Sequence, residues 1–192
     1  MGDCSACGHD LRPSAKYCDQ CGVRLSADPV PTRTQVTVLC GDIAAPTTAA
    51  GPGFDRCAAI VARCGGTVDA FTGDSFRAWF GARTALADHA LCACMAALEI
   101  QSALDHPGRF GLNSGEVVVG DQGSTKHLLD VARKMQAAAP SGGVLLSNTT
   151  ALLVADRAAL GPLLLIEVKG DDNPIPAHRL LSARAGRRLN YG

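Results

Sequence analysis

From residue 35 onward, short apolar runs of strand type alternate with stretches of helical spacing. Residues 35–40, rich in valine, read as a buried strand, and 54–64 carry Ala58, Val61 and Ala62 at helical spacing. Residues 66–80 read as a β-hairpin with Gly73-Asp74 at its tip. The best helix covers 88–104, with Leu91, Met95 and Leu98 along one face and Pro107-Gly108 ending the segment. Two strands, 109–113 and 116–119, joined at Ser114-Gly115, come next, then a short helix over 129–139 before Pro140-Ser-Gly-Gly143. A strand at 144–147, a helix at 148–154 capped by Ser147 or Asn148, and strands at 163–168 and 177–181 complete the pattern. This is an α+β layout, with helices expected on one side of a sheet.

The first 25 residues have no such period, and cysteines organise them instead. Cys4-Ser-Ala-Cys7-Gly8 and Cys18-Asp-Gln-Cys21-Gly22 are two copies of one knuckle, ten residues apart. In each, backbone amides can point at the sulfurs while glycine accepts the positive φ of the turn. Four thiolates at this spacing suit a tetrahedral, fully coordinated and therefore structural Zn²⁺. So short a segment has little core, and metal binding supplies much of its folding energy. A redox dithiol belongs beside a βαβ pattern, which is absent here. His9 stands by as a spare ligand. The remaining cysteines, Cys40, Cys57, Cys64, Cys92 and Cys94, lie in apolar surroundings and read as small hydrophobes.

The organisation expected is a zinc ribbon at 1–25, a Pro-containing linker at 26–33, a main domain at 34–182 and a basic tail at 183–192 carrying Arg184, Arg187 and Arg188. Lys plus Arg and Asp plus Glu both number 18 among 192 residues, so no charge field marks a nucleic-acid or membrane partner. Leu163 to Val168 is far too short to span a bilayer. Met1-Gly-Asp-Cys4 lacks the layout of a secretory signal, and Ala6 stands where a myristoylated Gly2 would want Ser or Thr. A cytoplasmic protein is expected.

The candidate chemistry lies in two aspartates. Asp42 closes Gln35-Val-Thr-Val-Leu-Cys-Gly-Asp42, and Asp74 sits in the hairpin turn. If strand and hairpin lie side by side, the carboxylates meet at one rim, the minimum protein contribution to a Mg²⁺ site working on a nucleoside triphosphate.

Several stretches, in order, resemble the class III adenylate/guanylate cyclase catalytic domain. They are the strand ending Cys40-Gly-Asp42-Ile43, the hairpin Gly65-Gly-Thr-Val-Asp-Ala-Phe-Thr-Gly-Asp74 with Ala78-Trp-Phe-Gly81, and Arg109-Phe-Gly-Leu-Asn-Ser-Gly-Glu-Val-Val-Val-Gly120. Pro140-Ser-Gly-Gly-Val-Leu-Leu-Ser147, Glu167-Val-Lys-Gly170 and Pro176-Ala-His-Arg-Leu180 continue the match, and the leading ribbon is a familiar bacterial arrangement. The resemblance implies a ferredoxin-like fold whose domains pair head to tail, as a homodimer or with another cyclase domain. Each active site then combines residues of both subunits. It further implies Mg²⁺ or Mn²⁺ on Asp42 and Asp74, ATP or GTP as substrate, and attack of the 3′-hydroxyl on the α-phosphate to release pyrophosphate and a cyclic nucleotide.

Carried over residue by residue, the resemblance is incomplete. The adenine-reading lysine falls at Ala70, which cannot hydrogen-bond a base. The asparagine and arginine that hold ribose and phosphates, expected where a helix opens, fall at Asp130 and Lys134, although Arg133 is near. Asp130 has the wrong sign beside a polyphosphate, and Lys134 lacks a planar fork. Six residues, 124–129, stand where the family has a longer hairpin, and 22 residues between Asp42 and Gly65 hold only one helix. Ile43-Ala-Ala-Pro46 replaces a glycine-containing, phosphate-binding turn, and Pro46 has no N–H to offer. These departures imply a degenerate cyclase; the alternative is a ribbon-based adaptor whose cyclase-like domain serves only dimerisation or nucleotide sensing.

Overall fold

A computed structural model describes residues 4, 6–10, 17–23, 33–43, 52–82, 86–118, 122–168 and 171–184. The chain divides into two compact units, Met1–Thr32 and Arg33–Gly192. Linker residues 26–32, Ala44 to Pro46, Lys169-Gly170, and the tail arginines Arg187 and Arg188 lie outside the described residues, whereas Arg33, expected in the linker, opens the first strand.

In the second unit the elements are β1 (Arg33–Asp42), α1 (Pro52–Arg63), β2 (Gly66–Thr72), β3 (Ser75–Phe80), α2 (His89–Ala103), β4 (Arg109–Val118), α3 (Gln122–Ala138), β5 (Gly143–Ser147), α4 (Asn148–Val154), β6 (Ala158–Val168) and β7 (Asp171–Ala183). One seven-stranded sheet runs in the order β2-β3-β1-β4-β5-β7-β6. Among the described residues only β4 and β5 pair in parallel, and α3 supplies the crossover that a parallel return requires. The α+β expectation holds, and no helix among the described residues is long and apolar enough to cross a membrane.

Alternation along β1 sends its side chains to two different layers. Leu39 joins Ile60 and Val61 of α1, Ala93, Ala97 and Ile100 of α2, and Ala151 and Val154 of α4 in the main core. Val36, Val38 and Cys40 face the other way and pack on Leu128 and Ala132 of α3. Helices therefore cover both faces of the sheet, not one. The α3 stripe that does this (Leu128, Ala132, Met135) is buried throughout, as is Ala139 just past the helix. On α2 most of the innermost positions are small, Ile100 being the large exception. Ala93, Ala96 and Ala97 are fully buried, whereas Met95 and Leu98 are only partly covered, because alanine lets a helix approach a sheet closely.

Two expectations fail for one reason. Residues 109–118 form a single strand, with Ser114 and Gly115 paired in the ladder to Thr37 and Val36. Ser114 is not a turn residue: its hydroxyl is buried against those of Thr37 (2.7 Å) and Thr150 (2.9 Å). The α3 backbone requires Gly111, and Gly115 gives room to an α3 side chain. A Cβ at Gly111 would lie 2.1 Å from the Gln136 amide nitrogen, and one at Gly115 would lie 2.6 Å from Leu128. The helix that rests on these glycines begins at Gln122, seven residues earlier than expected. Residues 124–129 are thus helical, and Asp130 lies inside the helix instead of at its opening. The Ser147 cap forms as expected, its hydroxyl accepting from the Thr150 amide at 3.4 Å.

Candidate functional site

The amino-terminal unit brings its four knuckle cysteines together. All four sulfurs lie within 4.8 Å of one another, with Cys4 and Cys21 3.7 Å apart and Cys7 and Cys18 3.6 Å apart. Sulfurs about 2.3 Å from a central Zn²⁺ are separated by roughly 3.8 Å along a tetrahedron edge, so the spacing fits such an ion. The knuckles share one backbone design. The amide of Gly8 reaches the carbonyl of Cys4, and that of Gly22 the carbonyl of Cys18, each at 2.8 Å, with φ +72° at both glycines. The Ala6 amide helps hold the Cys4 thiol down to about 7. The His9 amide pulls Cys7 down, but Cys21, burial, Cys4 and Cys18 together push it up to about 12. A shared cation would remove that conflict by binding all four as thiolates. His9 stays outside the cluster, 3.5 Å from the Asp19 carboxylate.

In the larger unit the sheet register places the two aspartates. Asp42 lies opposite Ser75 of β3 and opposite Arg109 of β4. One step further, the Ile43 amide donates to the Asp74 carbonyl at 2.9 Å, so Asp42 at the end of β1 and Asp74 in the β2–β3 turn stand at one end of the sheet. Directly paired residues share a face, and Asp42 therefore projects to the α3 side with Cys40. Its carboxylate is 13% exposed and accepts from Arg109 Nη2 at 2.5 Å. A divalent ion at Asp42 has to share that carboxylate with Arg109 or displace the guanidinium. Asp74 is exposed, with Ser75 Oγ 3.4 Å from its Oδ1.

Beside this rim, on the same face, is a cavity of ≈ 440 Å³ whose floor includes Cys40, Ala70 and Arg77, with Arg133 and Gln136 of α3 above. A second cavity, ≈ 460 Å³, lies along Asn113 to Glu116, the first turns of α3 and the β5–α4 junction. Its part of β4 begins four residues beyond Arg109, about 14 Å along the strand, and its Asn113, Ser114 and Ser147 are tied into a buried hydroxyl network. The first cavity is the one next to the aspartates.

No protein-family model and no curated protein matches the sequence. Solved structures do match. The adenylyl cyclase CyaB from P. aeruginosa superposes with a TM-score of 0.68 at 22% identity, over 80% of this chain and 97% of that one. The guanylyl cyclase Cya2 gives 0.67 at 25% identity, over 83% and 97%. The guanylate cyclase domain of RhGC from Catenaria anguillulae, in complex with GTP, gives 0.66 at 22%, over 80% and 100%. The larger unit has the class III nucleotidyl cyclase fold.

Within this cyclase fold the sequence-derived positions divide. Ala70 lines the cavity beside Asp42, and its cross-strand neighbour is Arg77. Asp130 and Lys134 are half-buried in the middle of α3, and neither lines that cavity; Arg133, one residue from Lys134, does. Sequence reasoning missed Arg109, whose pairing with Asp42 follows only once β1 and β4 are antiparallel neighbours. It also missed the Asp69–Arg77 pair. Here a β-bulge between Val68 and Ala70 leaves Asp69 unpaired in the ladder, and its carboxylate accepts from Arg77 Nε at 2.7 Å and Trp79 Nε1 at 3.3 Å. An acid and a base placed across one hairpin were the available signal. The scattered cysteines behave as hydrophobes: burial pushes Cys40 and Cys57 up to about 11 and Cys94 to about 12.

Proposed function

We propose that the chain is a class III nucleotidyl cyclase homologue that binds a Mg²⁺–nucleoside triphosphate complex and turns it over little or not at all. It would serve as a nucleotide-sensing or regulatory domain behind a structural Zn²⁺ ribbon. The observation that carries this reading is the cavity beside Asp42 and Asp74, which is lined by Ala70, where the resemblance implies a base reader, and by neither Asp130 nor Lys134. In phosphoryl transfer the protein supplies position and charge, and one lost contact commonly costs about 10²-fold in rate. Asp42 and Asp74 would hold the ion. Residues of a partner domain, as a homodimer or with another cyclase domain, would complete the site. Reduced thiolates in the ribbon suit the cytoplasm.

The test is full-length protein with ATP or GTP and Mg²⁺ or Mn²⁺, assayed for cyclic nucleotide. The expected result is no product above the buffer control. Turnover that disappears in Asp42→Ala would show a working cyclase and end the degenerate reading. The complete four-sulfur cluster also favours a second reading, a ribbon adaptor whose cyclase-like domain only dimerises. Absence of any heat on titration with Mg²⁺–nucleotide would select that alternative.

A further inference from the structure

The cation missing at Ala70 has a counterpart across the strand. Arg77 lies directly opposite Ala70 on one side and Cys40 on the other, so all three side chains project to the α3 face. Arg77 lines the cavity together with Ala70, Gln136 and Arg133. The guanidinium is not a loose surface group. Asp69, displaced into the bulge, takes both Nε (2.7 Å) and Nη2 (2.5 Å), and the side chain is 26% exposed. Trp79 Nε1 donates to the same Asp69 oxygen and helps hold it. A fork held along one edge by a carboxylate keeps its remaining N–H donors at a defined angle.

We propose that Arg77, positioned by Asp69, is the base-reading residue of this cavity and selects a guanine nucleotide over an adenine nucleotide. The inference rests on the nucleotide-binding reading above. Its chemistry lies in the donor pattern. Arginine offers donors only. Guanine presents two adjacent acceptors, O6 and N7, which an arginine fork matches; adenine puts an amino donor where O6 would be. An arginine here therefore both attracts guanine and opposes adenine, whereas Ala70 does neither. Arg133 approaches from α3 and, like Arg77, acts on the Cys40 thiol by its charge, so it is placed to meet the ligand from the other wall.

The test is calorimetric titration of the full chain with Mg²⁺ complexes of GTP, ITP and ATP. Inosine keeps O6 and N7 but lacks the guanine amino group, so GTP and ITP should both bind about tenfold or more tightly than ATP. Arg77→Ala should abolish that preference, leaving ATP nearly unchanged. Arg77→Lys keeps the charge and the fold but loses the fork, and should also lose the preference. Asp69→Asn should weaken it with the fold intact, as judged by circular dichroism. Equal binding of the three nucleotides by the unmodified protein overturns this inference alone. A uniform loss for all three on Arg77→Ala, the mark of a phosphate contact, also overturns it. If none of the nucleotides binds, this inference fails together with the reading on which it rests.

Discussion

The sulfur cluster and the aspartate rim are both candidate metal sites, and they were built in opposite ways. In the ribbon the ligands themselves set the geometry: two matching knuckles, each closed by a glycine, bring four sulfurs within 4.8 Å. At the rim the backbone ladder sets the geometry, but the side chains around the aspartates determine what they can do. Arg109 occupies Asp42, Arg77 is bound by Asp69, and Ala70 contributes nothing polar. A site made of its own ligands survives as a unit. One shared among four strands and a helix can keep its metal ligands while changing everything around them.

That contrast can be broken most severely at the ribbon. Cys18→Ser should take the zinc content from one ion per chain to near zero and unfold the ribbon, while residues 33–184 keep their thermal transition. Atomic absorption and calorimetry read both. A change of similar force in the larger unit is Gly111→Val, since the new side chain collides with the α3 backbone. The expected loss is about 3 kcal/mol or more, seen as a lower urea midpoint. Unchanged stability would mean that α3 does not rest on β4.

Smaller effects sharpen the rim. Asp42→Ala should weaken Mg²⁺–nucleotide binding about tenfold or more, roughly 1.4 kcal/mol, while leaving zinc untouched. Equal affinity in the variant would remove Asp42 from the site. Away from the rim, burial lowers the pKa of His89 below its ordinary 6.5, against a smaller opposing pull from Asp88. In the fold His89 Nδ1 lies 2.7 Å from Thr37 Oγ1, which is linked to Ser114 and so to Thr150. Arg157 pairs with Asp88 on the adjacent surface. Because the folded pKa is depressed, the unfolded chain binds the proton first. Stability is full above about pH 6.5 and falls as the pH drops from there through the folded value. Urea midpoints at pH 7.5 and 5.5 should differ, and His89→Asn should reduce the difference.

Much of the fold was legible because local signals agreed with it. The valine-rich strand ending at Asp42, the hairpin tip at Gly73-Asp74 and the Ser147 cap all appear where residue type and spacing put them. Ser114-Gly115 misled because a small polar pair looks like a turn in isolation, whereas its role is to let a helix lie on the strand. The first turns of α3 were hidden for the same reason, since Gly123, Ser124 and Thr125 are weak helix formers that only tertiary packing holds in a helix. At the rim, the aspartates were readable but their partners were not. Arg109 meets Asp42 across 67 residues, and no local pattern reports a strand register of that span.

Nucleotide binding without turnover can be read in one experiment. The full chain is titrated with Mg²⁺–GTP in a calorimeter, and the contents of the cell are then analysed by chromatography. The expected result is saturable heat with the GTP recovered intact. Cyclic GMP and pyrophosphate in the cell, or a flat titration, would contradict it.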